Sequence, residues 1–344
     1  MRISKADLDW AVSQNILSAG QAGLLWTRLE TRNPARSKFD IANLAYYLGA
    51  LIVMSAMGWF MTLGWEKFGG GGIFLISLVY ALAFLAAGYH LWYNTEAKVA
   101  GGLLYTLAVW MTPLAIYGIE RFFHVWPEGD PGTFRDYHIW IKGSWFIMEI
   151  GTIAAGAIAL KFIRFPFLTF PIAFSLWYMS MDLTPLLVGK QEFSYQQRLW
   201  VSLAFGALIL LVAYIVDRRM REDYAFWCYL FGLMAFWGGL SLMDSNSELN
   251  KFFYCLINVG LMLLAVFLSR RVFLVFGACG VFGYLGHLSY TIFKDSMMFP
   301  FALSILGLLI IFLGIKYQRN SERIEQFILA SLPNGIRNLR PVER

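Results

Sequence analysis

The chain has 344 residues, of which 58% are hydrophobic and 15% are charged, and its mean hydropathy is +0.57. Soluble domains carry about 25% charged residues, so this composition excludes an ordinary soluble protein and indicates a membrane protein with several spans. The formal net charge is +6, but the positions of the charges along the chain are more informative than their sum.

Residues 1–40 precede the first long apolar run and are expected to form a short helical segment in the cytoplasm. Ser18 and Gln21 have the spacing of a capping box, in which each side chain satisfies the other's backbone amide. An apolar stripe at helical spacing follows, made of Ala22, Leu25, Trp26 and Leu29. The segment is either a helical hairpin that docks a protein partner or a helix pair lying on the membrane surface.

Ten apolar runs between residues 41 and 316 are long enough to cross a bilayer as helices, which takes about 20 residues each. They are Asn43–Trp65, Ile73–Tyr93, Val99–Ile119, Gly143–Leu160, Phe165–Leu187, Leu199–Val216, Tyr224–Met243, Phe252–Ser269, Val272–Phe293 and Met297–Ile315. Helices are required because lipid offers no hydrogen-bond partner to a free backbone amide. We therefore predict an all-α, polytopic membrane bundle of about ten transmembrane helices over residues 41–316.

The lysines and arginines predict the orientation of this bundle. An N-terminus in the cytoplasm places 20 of them in inside segments and 8 in outside segments. Because cytoplasmic loops carry the excess of positive charge, both ends of the chain are predicted to lie inside. The expected location is the bacterial inner membrane, with the lipid bilayer as the main partner.

Two segments outside the spans leave alternatives open. The outside loop Glu120–Lys142 is rich in aromatic residues, which form either an interface belt or a lid over an outward-facing cavity. Residues 317–344 form a cytoplasmic tail with apolar and basic positions at helical spacing, which predicts an amphipathic helix on the membrane surface or a solvated helix.

Glu149 is a carboxylate within the otherwise apolar run Gly143–Leu160. Residues three and four apart share a helix face, and on this basis Glu149 lies beside small residues such as Gly156. Small residues mark close helix contacts, so Glu149 is expected to face protein rather than lipid. Seven helical residues from Lys142 would place it about 10 Å inside the outer surface.

The same count of helical residues from an outside lysine predicts a polar layer in the outer half of the bilayer. His287, Asn258 and Asp182 each lie seven or eight residues from an outside lysine, and Tyr284 and Tyr178 lie one turn from two of them. Ionisable residues inside a membrane are costly and usually face the interior with a partner. Six residues are therefore candidates for a solute or ion pathway, unless they only hold helices together. They are Glu149, His287, Asn258, Asp182, Tyr284 and Tyr178. A coupled pair of Glu149 and His287 is the sharpest form of this hypothesis.

The lead-in to the first run and the run itself resemble a known family. "QAGLLW" is followed by "LAYYLGALIVMSAMGWFMTLGWEKFGGGG", a pattern of Gly, Trp and apolar positions over roughly the first 100 to 150 residues. This pattern resembles the bacterial membrane protein family called domain of unknown function 2157. The resemblance implies an inner-membrane protein with a short cytosolic N-terminal segment, and it implies no activity, cofactor or site residues.

The motifs of common enzymes are missing from the sequence. The run Phe68–Gly72 is a predicted turn without the lysine of a phosphate loop, and no nucleophile elbow appears. Cys228, Cys255 and Cys279 fit no metal motif, so no catalytic residue, metal, cofactor or nucleic-acid partner is expected. The best hypothesis is a permease or channel-like transporter. A non-catalytic assembly or sensory protein and a membrane enzyme acting on a lipid-linked substrate are the alternatives.

Overall fold

A computed structural model describes residues 5–32, 41–125, 145–188, 194–220, 222–243 and 247–293, with isolated residues at 245 and between 298 and 319. Within these ranges every regular element is helical, so the predicted all-α class is confirmed. Most of the run Met297–Ile315, most of the loop Glu120–Lys142 and nearly all of the tail 317–344 lie outside the described residues.

The α-helices follow one another along the described ranges. They are α1 Lys5–Ser13, α2 Ala19–Arg32, α3 Ile41–Asn94, α4 Lys98–Trp110, α5 Thr112–Phe122, α6 Phe146–Phe162, α7 Thr169–Val188, α8 Tyr195–Arg219, α9 Phe226–Ser241, α10 Glu248–Leu268 and α11 Arg271–Phe293. A short 3-10 turn, Pro166–Leu168, leads into α7.

The chain divides into two compact units, Met1–Gly49 and Ala50–Arg344, and the predicted N-terminal segment falls within the first. There α1 packs against α2 as a hairpin, with Leu8 and Ala22 buried. The capping box is present, because the Gln21 amide donates to Ser18 Oγ at 3.2 Å and the Ser18 amide donates to Gln21 Oε1 at 3.1 Å.

Five helical segments among the described residues are long and apolar enough to cross a membrane. They are Lys67–Asn94, Lys98–Phe122, Tyr195–Arg219, Glu248–Leu268 and Arg271–Thr291. The apolar helices Asn43–Met57 and Phe226–Ser241 are shorter. These lengths and compositions are those of a helical membrane protein, while the count of ten spans and the orientation stay predictions.

Glycine breaks α3 and then allows it to pack closely. Gly69, with φ 59° and ψ −178°, has non-helical dihedrals inside α3, at the predicted turn. Its positive φ is readily adopted only by glycine. The next residue, Gly70, faces Gly118 on α5 so closely that an added Cβ would lie 2.7 Å from the Gly118 carbonyl oxygen.

The helix contacts of the second unit run in a chain from α4 to α11. Helix α6 packs against α4, α5 and α7, and α7 in turn packs against α8 and α9. Helix α9 contacts both α8 and α11, and α10 packs along α11. Helices α6 and α7 therefore join the α4–α5 pair to the α8–α11 group, and the candidate site lies at this junction.

Candidate functional site

Glu149 lies in the first turn of α6 and its side chain is buried, with an exposed fraction of 5%. The prediction that it faces protein is confirmed. The depth estimate stays a prediction, because Lys142, from which it was counted, lies outside the described residues.

Small residues on α6 allow the close packing that buries Glu149. A Cβ added to Gly156 would lie 2.6 Å from Ile172 Cγ1, and one added to Gly151 would collide with Ile116 Cδ1. The predicted small-residue row on this helix is therefore a true packing surface. It brings Ile116 of α5 and Ile172 of α7 against α6.

A cavity of about 260 Å³ opens beside Glu149, between the α4–α5 junction, α6 and α7; we call it the Glu149 cavity. It is lined by Trp110, Pro113, Trp145, Met148, Glu149, Thr152, Phe174, Ser175 and Tyr178. Four of these side chains are aromatic, and Tyr178 is the one that the sequence analysis singled out.

The aromatic walls of the Glu149 cavity touch one another in a continuous series. The Trp110 and Phe174 ring centroids are 5.0 Å apart, and those of Phe174 and Tyr178 are 4.8 Å apart. The Tyr178 ring then stacks on Trp145 at 5.6 Å with an interplanar angle of 14°. Such contacts fix the rings in place, because aromatic pairs have preferred geometries.

Neither oxygen of the Glu149 carboxyl has a hydrogen-bond partner among the described residues. Asp182 on α7, which has no exposed surface, acts electrostatically on the Glu149 carboxyl. The buried oxygens of Asp182 also have no hydrogen-bond partner among the described residues, and the positive charge of Arg198 acts on this carboxyl. The structure thus brings together Glu149, Asp182 and Tyr178 of the six candidates.

His287 and Tyr284 belong to a second place, a cleft of about 660 Å³ between α8, α9, α10 and α11; we call it the His287 cleft. His287 Nε2 lies 3.0 Å from Lys251 Nζ and 3.5 Å from Glu248 Oε1. Glu248 also accepts a hydrogen bond from Lys251 at 2.7 Å. The His287 side chain is partly exposed, with an exposed fraction of 36%.

Asn258 is a packing residue in the structure. Its Oδ1 accepts from Trp237 Nε1 at 3.0 Å, its Nδ2 donates to the Tyr254 carbonyl at 2.8 Å, and it has no exposed surface. The Asn258 side chain fills the space that a Cβ on Gly280 would occupy. Asn258 therefore joins α9, α10 and α11 and lines neither cavity.

Glu149 and His287, which were predicted to couple directly or through one water, make no direct hydrogen bond with each other. His287 contacts Lys251, Glu248 and Thr291, while the Glu149 carboxyl has no described hydrogen-bond partner. Equal spacing from outside lysines did not bring the residues into one site, because such spacing measures height along a helix and says nothing about which helices are neighbours. The six candidates divide into two sites and one packing residue.

A charged cluster that the sequence did not predict lies where α8, α9 and the α10–α11 turn meet. Arg270 donates to both oxygens of Asp217, at 2.6 and 3.2 Å, and to Asp223 at 2.8 Å. Tyr229 donates to Asp217 at 3.3 Å, and its ring centroid lies 5.5 Å from the guanidinium carbon of Arg270. One signal could have revealed it, namely the single acid, Asp217, beside two arginines at the end of an apolar run.

The Arg270 guanidinium binds two carboxyl groups in this cluster. Burial acts to lower the pKa of the Arg270 guanidinium, but hydrogen bonds and charges from Asp223 and Asp217 raise that pKa above its ordinary range. The Asp217 side chain has an exposed fraction of 2%. Burying its charge is costly, and the ion pair with Arg270 offsets that cost.

Glu120 is a further buried carboxyl group. It lies within α5 and has an exposed fraction of 7%. Among the described residues, no group of three or more His, Cys, Asp and Glu side chains is arranged to hold a metal ion.

The chain matches no protein-family model, no curated protein and no solved structure. The resemblance to domain of unknown function 2157 therefore stays a prediction, and the function has to be inferred from the geometry of the residues alone.

Proposed function

We propose that the protein is a permease or channel-like transporter of a small solute or ion, with Glu149 and Asp182 in its pathway. The observation that carries this proposal is the Glu149 carboxyl, which is buried, has no described hydrogen-bond partner and lines a cavity. Ionisable residues within membrane helices mark ion or solute pathways when no structural partner accounts for them.

The energetics of burial separate this carboxyl from packing residues. A buried carboxylate without a partner is costly, and it is expected to be neutralised by a proton or by a bound cation. A residue that served only to join helices would instead bond its neighbours, as Asn258 does through Trp237 and Tyr254. The Glu149 carboxyl faces a space that a solute can enter.

The proposed topology is ten helices in the bacterial inner membrane with both ends in the cytoplasm. Its support is the excess of lysine and arginine in the segments assigned to the inside. Reporter fusions after Arg221 and after Arg271 are expected to report the cytoplasm, and fusions within 128–133 are expected to report the outside. One contrary result at either inside segment overturns this topology.

Transport is tested with purified protein reconstituted in liposomes on a solid-supported electrode. Concentration jumps of Na⁺, K⁺, NH₄⁺ and choline are applied, and protein-free liposomes serve as the blank. We expect at least one cation to give a transient current that Glu149→Gln abolishes and Glu248→Gln retains. Absence of current with all four cations, or equal currents in the Glu149→Gln variant, contradicts the proposal.

A second candidate function is an assembly or sensory role with the α1–α2 hairpin as a docking module. Its support is the exposure of large apolar side chains on the hairpin, with fractions of 61% at Trp10 and 67% at Leu24. Deleting residues 1–36 is then expected to leave membrane insertion and thermal stability unchanged. Loss of folding on deletion would make the hairpin part of the membrane core and remove the basis for a docking module.

A further inference from the structure

The lining of the Glu149 cavity combines two features that both favour a bound cation. Four aromatic side chains form its walls, and one buried carboxyl supplies negative charge. Aromatic faces attract cations through their quadrupoles, and aromatic cages are the usual sites for alkylated ammonium groups. A carboxylate beside such rings neutralises the charge of the guest.

The volume of the Glu149 cavity limits the size of the guest. Pockets for drug-sized ligands measure about 300 to 1,000 Å³. The Glu149 cavity is smaller, at about 260 Å³, and therefore fits a cation of only a few heavy atoms. Its walls come from helices that pack closely through Gly151 and Gly156, so the cavity does not widen without separating α6 from its neighbours.

The lining chemistry disfavours a bare metal ion as the guest. Hard cations such as Ca²⁺ require six or more oxygen ligands, and aromatic rings supply none. The oxygen groups that line the cavity are the Glu149 carboxyl and the hydroxyls of Thr152, Ser175 and Tyr178. The Thr152 hydroxyl already donates to the Met148 carbonyl at 2.7 Å.

From these observations we propose that the Glu149 cavity binds a small alkylated ammonium cation. The charge meets the Glu149 carboxylate, and the alkyl groups contact Trp110, Trp145, Phe174 and Tyr178. Asp182 adds negative potential from α7 without lining the cavity. The inference rests on the proposed function, because it names the class of solute that would enter the pathway.

The test is a binding measurement on purified full-length protein in detergent, without any membrane gradient. Choline is titrated by calorimetry beside its neutral carbon isostere 3,3-dimethyl-1-butanol and beside NaCl at equal concentration. We expect choline to bind at least about ten-fold more tightly than the isostere, because a charge-assisted contact to Glu149 is lost in the neutral molecule. Equal affinity for the isostere, or equal heat from NaCl, overturns the inference.

Variants assign the binding to this cavity. Glu149→Gln keeps the shape of the side chain and is expected to weaken choline binding about ten-fold or more. The matched control is Glu248→Gln, which removes a carboxylate from the vicinity of the His287 cleft and is expected to leave choline affinity unchanged. If Glu149→Gln and Glu248→Gln bind choline equally well, the site lies elsewhere and the inference is wrong.

A conservative pair at Trp145 gives a second readout that does not depend on recovering a folded Glu149 variant. Trp145→Phe keeps an aromatic face and is expected to lose little affinity, whereas Trp145→Leu is expected to lose about three-fold to ten-fold. Equal affinities of the two variants contradict an aromatic cage.

The two experiments together separate this inference from the proposed function. Choline binding without any current in liposomes supports an ammonium-binding site in the Glu149 cavity and contradicts the proposed transport function. A Glu149-dependent current for an inorganic cation, with no choline binding, supports the proposed transport function and contradicts the ammonium-binding site.

Discussion

Two buried carboxyl groups in this protein have opposite surroundings. Asp217 is held by Arg270 through two hydrogen bonds and by Tyr229 through a third. Glu149 is buried nearly as completely, yet its oxygens have no hydrogen-bond partner among the described residues and face a cavity. Burial alone therefore does not distinguish structural charge from functional charge, whereas the partners of the charged atoms do.

The two carboxyl groups also differ in what their removal costs. A buried ion pair is not strongly stabilising relative to apolar packing, but removing one member leaves the other charge uncompensated at a large cost. An unpartnered carboxyl already carries that cost in the native protein. Substitution by a neutral group is therefore expected to destabilise the Asp217 site and to spare the Glu149 site.

The largest effect is expected at Arg270. Arg270→Met removes the guanidinium from Asp217, which has an exposed fraction of 2%, and is expected to lower the free energy of unfolding by about 3–5 kcal/mol. The measurement is unfolding in mixed micelles with increasing dodecyl sulfate. The matched control is Arg271→Met at the exposed neighbouring position, and an equal effect at both positions would show that the cluster is not structural.

An intermediate effect is expected at Asn258, the packing residue of the supposed layer. Asn258→Ala removes the acceptor of the Trp237 indole N–H and is expected to cost about 1–3 kcal/mol in the same unfolding experiment. Adding Trp237→Phe is expected to cost little further, since the donor is then absent too. Exposed Asn250→Ala serves as the control. Fully additive losses in the double variant would contradict the hydrogen bond.

A small effect on stability is expected at Glu149. Glu149→Gln and Glu149→Leu should change the free energy of unfolding by no more than about 1 kcal/mol, or raise it, because no described hydrogen bond is lost and a desolvated acid is replaced. Both variants should lose the cation response in liposomes and in calorimetry. Asp217→Asn, measured in parallel, should lose several times more stability. A Glu149→Gln loss as large as that of Asp217→Asn would assign Glu149 to helix packing.

The smallest effect is expected at Glu248. Its side chain is exposed and pairs with Lys251 and His287 at the surface, where solvent screens the charges. Glu248→Gln is expected to leave the thermal midpoint unchanged within error. A clear drop in the midpoint would mean that the His287 cleft is a structural site comparable to the Arg270 cluster.

The sequence predicted those features that depend on local spacing. The capping box of Ser18 and Gln21 and the burial of Glu149 follow from positions three and four residues apart, which lie on one helix face whatever the tertiary structure. The break at Gly69 follows from a glycine run that an uninterrupted helix does not favour.

Features that depend on helix neighbours could not be predicted. The Asp217–Arg270 pair joins residues 53 positions apart, and Trp110 meets Phe174 across two helices. Apolar composition is similar on all these helices, so it does not select which faces meet. Glu149 and His287 are equally spaced from lysines, but this spacing does not identify neighbouring helices either. The two side chains have different contacts in the structure.

The packing of Asn258 against Gly280 has a consequence for how mutations are tolerated at the four glycines of α11, at positions 277, 280, 283 and 286. A Cβ at Gly277 or Gly280 would meet α10 atoms, whereas Gly283 and Gly286 have open space around them. In a saturation library scored by expression, positions 277 and 280 are expected to reject even alanine, while positions 283 and 286 accept many residues. The boundary is sharp, a single helical turn wide, and it separates the part of α11 that is fixed by backbone contact from the part that is free to diversify.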